Sequence, residues 1–357
     1  MNIISAYIRR VGQILLAAMI SCCILTSCDS FIMEDEGDCA VTYRLKFRYD
    51  RNLKWADAFA NEVSSVHAYA FDQSGLLVWH SDEKIDRDAA ADYSMVLDLP
   101  AGDYKLLAWC GLRNDGEQGE SFSVPEVRVG RTRIEDVQCS LRRQYGEDGA
   151  YSKDRLYRLF HGTLDVTLPV NEDGGDYVYT MPLTKNTNHV RVILQHLSGQ
   201  DVDVNKFNFR IDEENGLMAH HNGLLEDENI KYEPWNTMSG EAGVGKDETR
   251  AVINVKGAIA DLTVGRMMED RKKKMLLTIT NNENGEKIAT IPVIDYALLA
   301  KEYYEQEYGH KMTDQDFLDR EDEYVMTLFL DEKNHWLSSQ ILIHSWVVVP
   351  NDVNLGS

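Results

Sequence analysis

Val41-Thr42-Tyr43-Arg44-Leu45-Lys46-Phe47-Arg48-Tyr49 alternates without a break. Val41, Tyr43, Leu45, Phe47 and Tyr49 fall on one side of an extended chain, and Thr42, Arg44, Lys46 and Arg48 on the other, because successive strand side chains point to opposite faces. This period of two predicts a strand with one face in a core and one in water. Working outward, Val66 to Phe71 reads as a second strand, closed by Asp72-Gln73-Ser74-Gly75 and followed by a return over Leu76 to Trp79. Asp and Gly favour that turn, Asp by bonding its own backbone and Gly by accepting positive φ. Met95 to Leu99, Pro100-Ala101-Gly102-Asp103 and Tyr104 to Trp109 read as another hairpin. Beyond the midpoint, Val190 to Gln195, Lys206 to Ile211, Ala251 to Val255, Met275 to Thr280, Lys287 to Pro292, Tyr324 to Leu330 and Ile341 to Val349 carry the same strand character. Asn281-Asn282-Glu283-Asn284-Gly285 is a hairpin turn built on Asn-Gly.

Helical signals are few. Asp57 to Val63 allows one or two turns, Tyr296 to Tyr308 repeats apolar residues at helical spacing, and Thr313 caps a short helix running to Arg320. A weak internal echo relates Tyr69-Ala70-Phe71-Asp72…Gly75-Leu76 to Phe209-Arg210-Ile211-Asp212…Gly216-Leu217. Many short strands, few helices and regular turns imply an all-β sandwich class.

The N-terminus carries Arg9 and Arg10, then a mostly apolar run from Val11 to Leu25. That is the order of a secretory signal, and the run is shorter than the ~20 residues a membrane span needs. It ends in Leu25-Thr26-Ser27-Cys28, which resembles a bacterial lipobox. The resemblance implies cleavage before Cys28 and acylation of its thiol. Residues 29–38 are acidic and contain glycine, as expected of a tether.

The 357-residue chain has a formal net charge of −22, which disfavours nucleic acid and anionic lipid surfaces as partners. Membrane attachment would then come from acyl chains. Of six cysteines, Cys22 and Cys23 fall in the signal and Cys28 at its end. Cys39, Cys110 and Cys139 remain; one pair of them could bridge, or all three could be buried thiols.

Chemistry is sparse. Gly240-Glu-Ala-Gly-Val-Gly245-Lys246-Asp247 nearly matches a phosphate-binding loop, but Asp247 stands where a hydroxyl must meet magnesium. It is expected to be a flexible surface loop. His220-His221 lack further ligands at metal-site spacing, and His67 reads as a strand residue. Residues 171–176 are acid-rich but lack the spacing of a calcium loop. No Gly-x-Ser-x-Gly elbow or His-Glu-x-x-His pair occurs. No catalytic residue, metal or cofactor is expected.

Several ordered segments resemble the FimB-like fimbrial anchor and minor-subunit lipoproteins of Bacteroides-type bacteria. They are the lipobox with Gly37-Asp38-Cys39 and Phe47-Arg48-Tyr49-Asp50; Leu99-Pro100-Ala101-Gly102-Asp103-Tyr104; Ala108-Trp109-Cys110-Gly111-Leu112; Gln315 to Tyr324; and Trp336 with Ile341 to Trp346. The resemblance implies two transthyretin-like β-sandwich domains in tandem with short helical insertions. Residues 1–27 would be a lipoprotein signal, 28–38 a tether, and 39–180 and 181–357 the two sandwiches. It also implies an outer-membrane lipoprotein, surface-exposed by the resemblance of its acidic tether to an export signal, that serves as anchor or accessory subunit of surface fimbriae. Its partners would be fimbrial stalk subunits, engaged by strand-type contacts, and the outer membrane, engaged through acylated Cys28. The strand Val41 to Tyr49 would stay in place, since cutting it away would release the protein, while Ile341 to Val349 could be offered to a neighbour or simply complete the second domain. The alternative is a free-standing surface lipoprotein that binds glycan or host protein.

Overall fold

The computed structural model describes residues 41–113, 120–170, 174–244, 253–272, 274–343 and 346–348. Its body comprises the described residues of Tyr43–Pro169 and those from Val178 onward; Val41, Thr42, Val170 and Gly174 to Tyr177 belong to a second, small unit. In chain order the first strands are β1 (Val41–Arg48), β2 (Ser65–Phe71), β3 (Leu77–Lys84), β4 (Met95–Val96), β5 (Gly102–Cys110) and β6 (Phe122–Ser123). Next come β7 (Cys139–Leu141), β8 (Gln144–Gly146), β9 (Gly149–Ser152), β10 (Phe160–Leu168), β11 (Gly175–Pro182) and β12 (Thr184–Lys185). The later strands are β13 (Asn188–His196), β14 (Phe207–Glu213), β15 (Leu217–Met218), β16 (Ile230–Tyr232), β17 (Asn236–Val244) and β18 (Ile253–Val264). β19 (Leu276–Asn281), β20 (Lys287–Pro292), β21 (Glu323–Leu330), β22 (Trp336–Ile343) and β23 (Trp346–Val348) complete them. Among the described residues three α-helices interrupt the strands: α1 (Phe59–Glu62), α2 (Val293–Tyr308) and α3 (Asp314–Leu318).

The fold is all-β, built of sheets packed as sandwiches, as the alternation predicts. In β1, Tyr43, Leu45, Phe47 and Tyr49 at its end are buried, while Lys46 and Arg48 are exposed. Phe47 stacks with Phe59 of α1 at 5.8 Å and with Tyr93 at 6.1 Å, and Tyr49 meets Phe160 edge-on at 5.0 Å. Each such ring pair adds about 0.5–1.5 kcal/mol beyond its area.

One sheet, ordered β12-β10-β5-β2-β3, departs from alternation. In β5 the run Leu106-Leu107-Ala108-Trp109-Cys110 is buried throughout. Leu107 and Trp109, with Tyr69 and Phe71 of β2, join one large core cluster with Phe122, Ile134, Val137 and Leu141 and with the second half's Val190, Phe209 and Leu277. A strand covered on both faces has no reason to alternate.

The Pro100–Asp103 turn does not close a hairpin. β4 pairs with β1, whereas β5 pairs with β2 and β10. The link therefore carries the chain from one sheet to another. The Asn281–Gly285 hairpin forms as expected, with β19 antiparallel to β20 and Gly285 at φ 73°. Thr313 accepts the Asp316 N–H and caps α3.

The second half holds two six-stranded sheets, β17-β18-β13-β21-β22-β23 and β20-β19-β14-β16-β9-β8. β8 and β9 lie before residue 180 in the chain, yet β9 pairs with β16. The two sheet systems thus share chain across the expected division at 180/181. The expected strand Ile341 to Val349 is two strands, β22 and β23, paired antiparallel. β10, β11 and β17 are absent from the sequence expectation. β17 takes up Gly240–Val244 of the expected loop, with Gly240 facing Gly257 and Val244 facing Ile253, while Gly245, Lys246 and Asp247 lie outside the described residues. The echoed segments are not equivalent: β2 pairs with β3, but β15, after β14, pairs with β7.

Gly111 follows β5 at φ 85°, and a Cβ there would lie 1.9 Å from the Arg158 carbonyl oxygen. Gly111→Ala is expected to lower stability by at least about 2 kcal/mol in urea denaturation, because both left-handed strain and a backbone clash are imposed. An unchanged midpoint would show that the Arg158 carbonyl moves aside freely.

Candidate functional site

Cys28, the lipobox and the tether lie outside the described residues, as do Cys39 and residues 171–173. Cys110 and Cys139 are free thiols, fully buried, and burial pushes both pKa values up. The disulfide alternative between those two is therefore not realised. His220 and His221 touch at 5.0 Å, and the His220 carbonyl accepts the His161 Nε2–H at 2.8 Å. Burial holds His161 near pKa 4, hence neutral at pH 7. Among the described residues no group of three His, Cys, Asp or Glu side chains is placed to hold a metal ion.

The structure brings together groups that the sequence keeps apart. The loop after β1 meets α2, α3 and the turn beyond them. Arg51 pairs with Asp316 at 3.1 Å and reaches Thr184 Oγ1 at 3.2 Å. Asp319, 7% exposed, accepts from Arg266 Nη2 at 2.7 Å and from Gln315 Nε2 at 2.8 Å. Lys185 binds Glu62 at 2.9 Å and also Asp322. Trp55 sits at φ 53°, a left-handed conformation rare for a bulky residue. Its Nε1–H donates to Tyr304 Oη at 2.7 Å, and the Arg320 guanidinium lies 4.0 Å from its ring centre. Glu321 is fully buried; burial and then the neighbouring Asp322 charge push its pKa well up.

A second cluster faces outward from β13 and β18. Asp261 is buried, and it accepts from Arg191 Nε at 2.7 Å, His189 Nε2 at 3.2 Å and Asn236 Nδ2 at 2.9 Å. Burial alone would raise the Asp261 pKa, but these three donors outweigh it and lower it. His189 donates its other nitrogen to Glu323 Oε2 at 3.0 Å. Burial lowers the His189 pKa, yet the two carboxylate bonds prevail and raise it to about 9, so the ring is cationic at neutral pH. Beside this cluster opens a cleft of about 310 Å³, with Arg155, Arg158, Thr187, Trp235 and Asp322 in its wall. Sequence reading found none of this: the basic residues converge only in the folded chain, Arg155 and Arg158 from the loop before β10 and His189 and Arg191 from β13.

The pH response follows from the raised pKa. Stability contributed by protonated His189 is complete below its unfolded pKa of about 6.5 and is lost as pH rises through about 9. Urea denaturation should therefore show His189→Gln trailing the wild type most at pH 6, with the gap closing by pH 10. A gap that does not change with pH would contradict a cationic His189.

The model of a family described as fimbrillin-A associated anchor proteins Mfa1 and Mfa2 matches residues 35–352. The minor fimbrium anchoring subunit Mfa2 of Porphyromonas gingivalis is 27% identical over 178 residues, 48% of this chain and 52% of that protein. The match thus spans about half the length of that curated relative. A candidate polysaccharide-binding protein of Bacteroides thetaiotaomicron has a similar structure, with TM-score 0.72 and 27% identity over 88% of this chain and 99% of its own. A candidate adhesin of the same species gives TM-score 0.71 and 30% identity, also over 88% of this chain and 99% of its own. With a family model matching nearly the whole chain beyond its N-terminal segment, and solved structures similar over most of it, this chain belongs to the family of fimbrillin-A associated anchor proteins Mfa1 and Mfa2.

Proposed function

We propose that the protein holds a fimbrial polymer at the outer membrane, acylated on Cys28 and contacting fimbrial stalk subunits through strand pairing. The role is structural rather than catalytic. The observation that carries it is the coincidence of the family match over residues 35–352 with a lipobox a few residues upstream. Acyl chains suit a chain of charge −22, since the body itself would be repelled by anionic lipid. One chain binds a membrane only marginally, so stable attachment needs more than one. Division into tether and two sandwiches at 28–38, 39–180 and 181–357 belongs to the same proposal.

Strand pairing is favoured by sheet ends. β17 and β23 stand at the two edges of their six-stranded sheet among the described residues. An edge strand offers a row of backbone donors and acceptors to an incoming strand. β22 is paired along its length with β21, so the segment Ile341–Ile343 is already committed within the sheet, and β23 is the part of the C-terminal region left at an edge.

A second reading, a surface module that binds glycan, draws on the candidate polysaccharide-binding and adhesin roles ascribed to the two solved relatives.

Mass spectrometry of the native N-terminus should find acylated Cys28, and Cys28→Ala should shed the protein with its fimbriae into the medium. An unmodified N-terminus would remove the membrane anchor. Fimbriae that remain attached in the Cys28→Ala strain would leave an accessory subunit instead.

A further inference from the structure

The cleft beside β13 gathers more basic groups than its own carboxylates use. Arg155, Arg158, Lys185, His189 and Arg191 all line it. Against them stand Asp322 and Glu323 in the wall, with Asp261 and Glu62 bonded behind. Five cations thus face four carboxylates, a local excess of one positive charge in a chain of net charge −22.

Three guanidinium groups keep donors to spare. Arg191 commits Nε and Nη2 to Asp261, which leaves Nη1 without a partner among the described residues. Arg158 meets Glu62 only at 3.8 Å through Nε, and its side chain is 53% exposed. Arg155 has no ion-pair partner among the described residues and lies 5.0 Å from the centre of the Trp235 ring. Two uncharged donors join them. Thr187 is 4% exposed, and neither its hydroxyl nor Trp235 Nε1 has a hydrogen-bond partner among the described residues. Leaving such groups unpaired is unfavourable, so a ligand that pairs them gains by it.

We propose that this cleft binds an acidic sugar residue, which deepens the glycan-binding reading and does not depend on acylation of Cys28. The sugar carboxylate would take the forked donors of Arg155, Arg158 and Arg191, the geometry that guanidinium groups match best. Its ring hydroxyls would meet Thr187 and Trp235. The volume of about 310 Å³ lies at the small end of ligand pockets, which span roughly 300–1,000 Å³, and suits one ring. Arg155 and Arg158 also line a neighbouring cleft of about 190 Å³ that contains Arg87. A second acidic residue of the same oligosaccharide would find a cation there. An aspartate side chain offers the carboxylate but no hydroxyls for Thr187 and Trp235.

Calorimetric titration of the full chain with a galacturonic acid oligomer tests this, with a neutral glucose oligomer and an aspartate-rich peptide as the other arms. The acidic oligomer is expected to bind, more weakly as salt rises. Arg155→Gln/Arg158→Gln should weaken it by about tenfold or more at an unchanged melting temperature, since neither side chain is buried. Thr187→Val should weaken the oligomer more than it weakens acetate. Neutral oligomer binding that the double variant leaves intact would overturn the cleft while sparing the glycan-binding reading. Failure of every sugar to bind would overturn both. Preference for the peptide would assign the cleft to a protein partner and overturn the sugar.

Discussion

At the centre of the sheet β12-β10-β5-β2-β3, β2 and the Leu106–Cys110 end of β5 are covered on both faces, and the rest of the structure depends on that burial. One face carries Val66, Ala68, Leu106 and Ala108; the other carries Tyr69, Phe71, Leu107 and Trp109, all buried. The second face belongs to the same cluster as Val190, Phe209 and Leu277. The core therefore runs unbroken from the first sheet system into the second. Removing apolar surface from water is the main favourable term in folding, at about 25 cal/mol per Å². The two halves are consequently joined by the same force that builds each of them.

Polar groups near that shared core must find partners, and the ion pairs supply them. Arg51 with Asp316, and Glu62 with Lys185, occur where the first half reaches the α3 region, and Asp319 with Arg266 and Gln315 lies beside Arg51. Such pairs add little net stability over apolar substitutes, but removing one member typically costs about 3–5 kcal/mol because the other charge is left buried. Their effect is to fix which loop meets which helix. Trp55 belongs to the same arrangement: Tyr304 and Arg320 hold its ring against a backbone conformation that would otherwise be unfavourable.

The outward cluster around Asp261 has another character. It collects Arg191, His189 and Asn236 on one carboxylate and adjoins a cleft where further guanidinium groups remain available. In a strongly acidic chain, basic groups concentrated at one place create a local potential of opposite sign to the whole.

Alternation made β1 legible, because a half-buried strand writes its two environments into neighbouring residues. Asn-Gly chemistry made the β19–β20 turn legible, and Thr313 the start of α3. β17 was not legible: its Ser and Gly residues carry weak strand propensity, and pairing with β18 supplies what local preference lacks. The Pro100–Asp103 turn was read but not its destination, since a turn states that the chain reverses and not which sheet receives it. Likewise Asp261 is one of 59 acidic residues until register sets it opposite Arg191. By itself the sequence determined the β class, the local turns and caps, and the family, because these depend on residues close in the chain or on an ordered series of motifs. Tertiary structure alone decided sheet membership, the shared core and the charged cleft, because burial and charge pairing are set by residues distant in the chain.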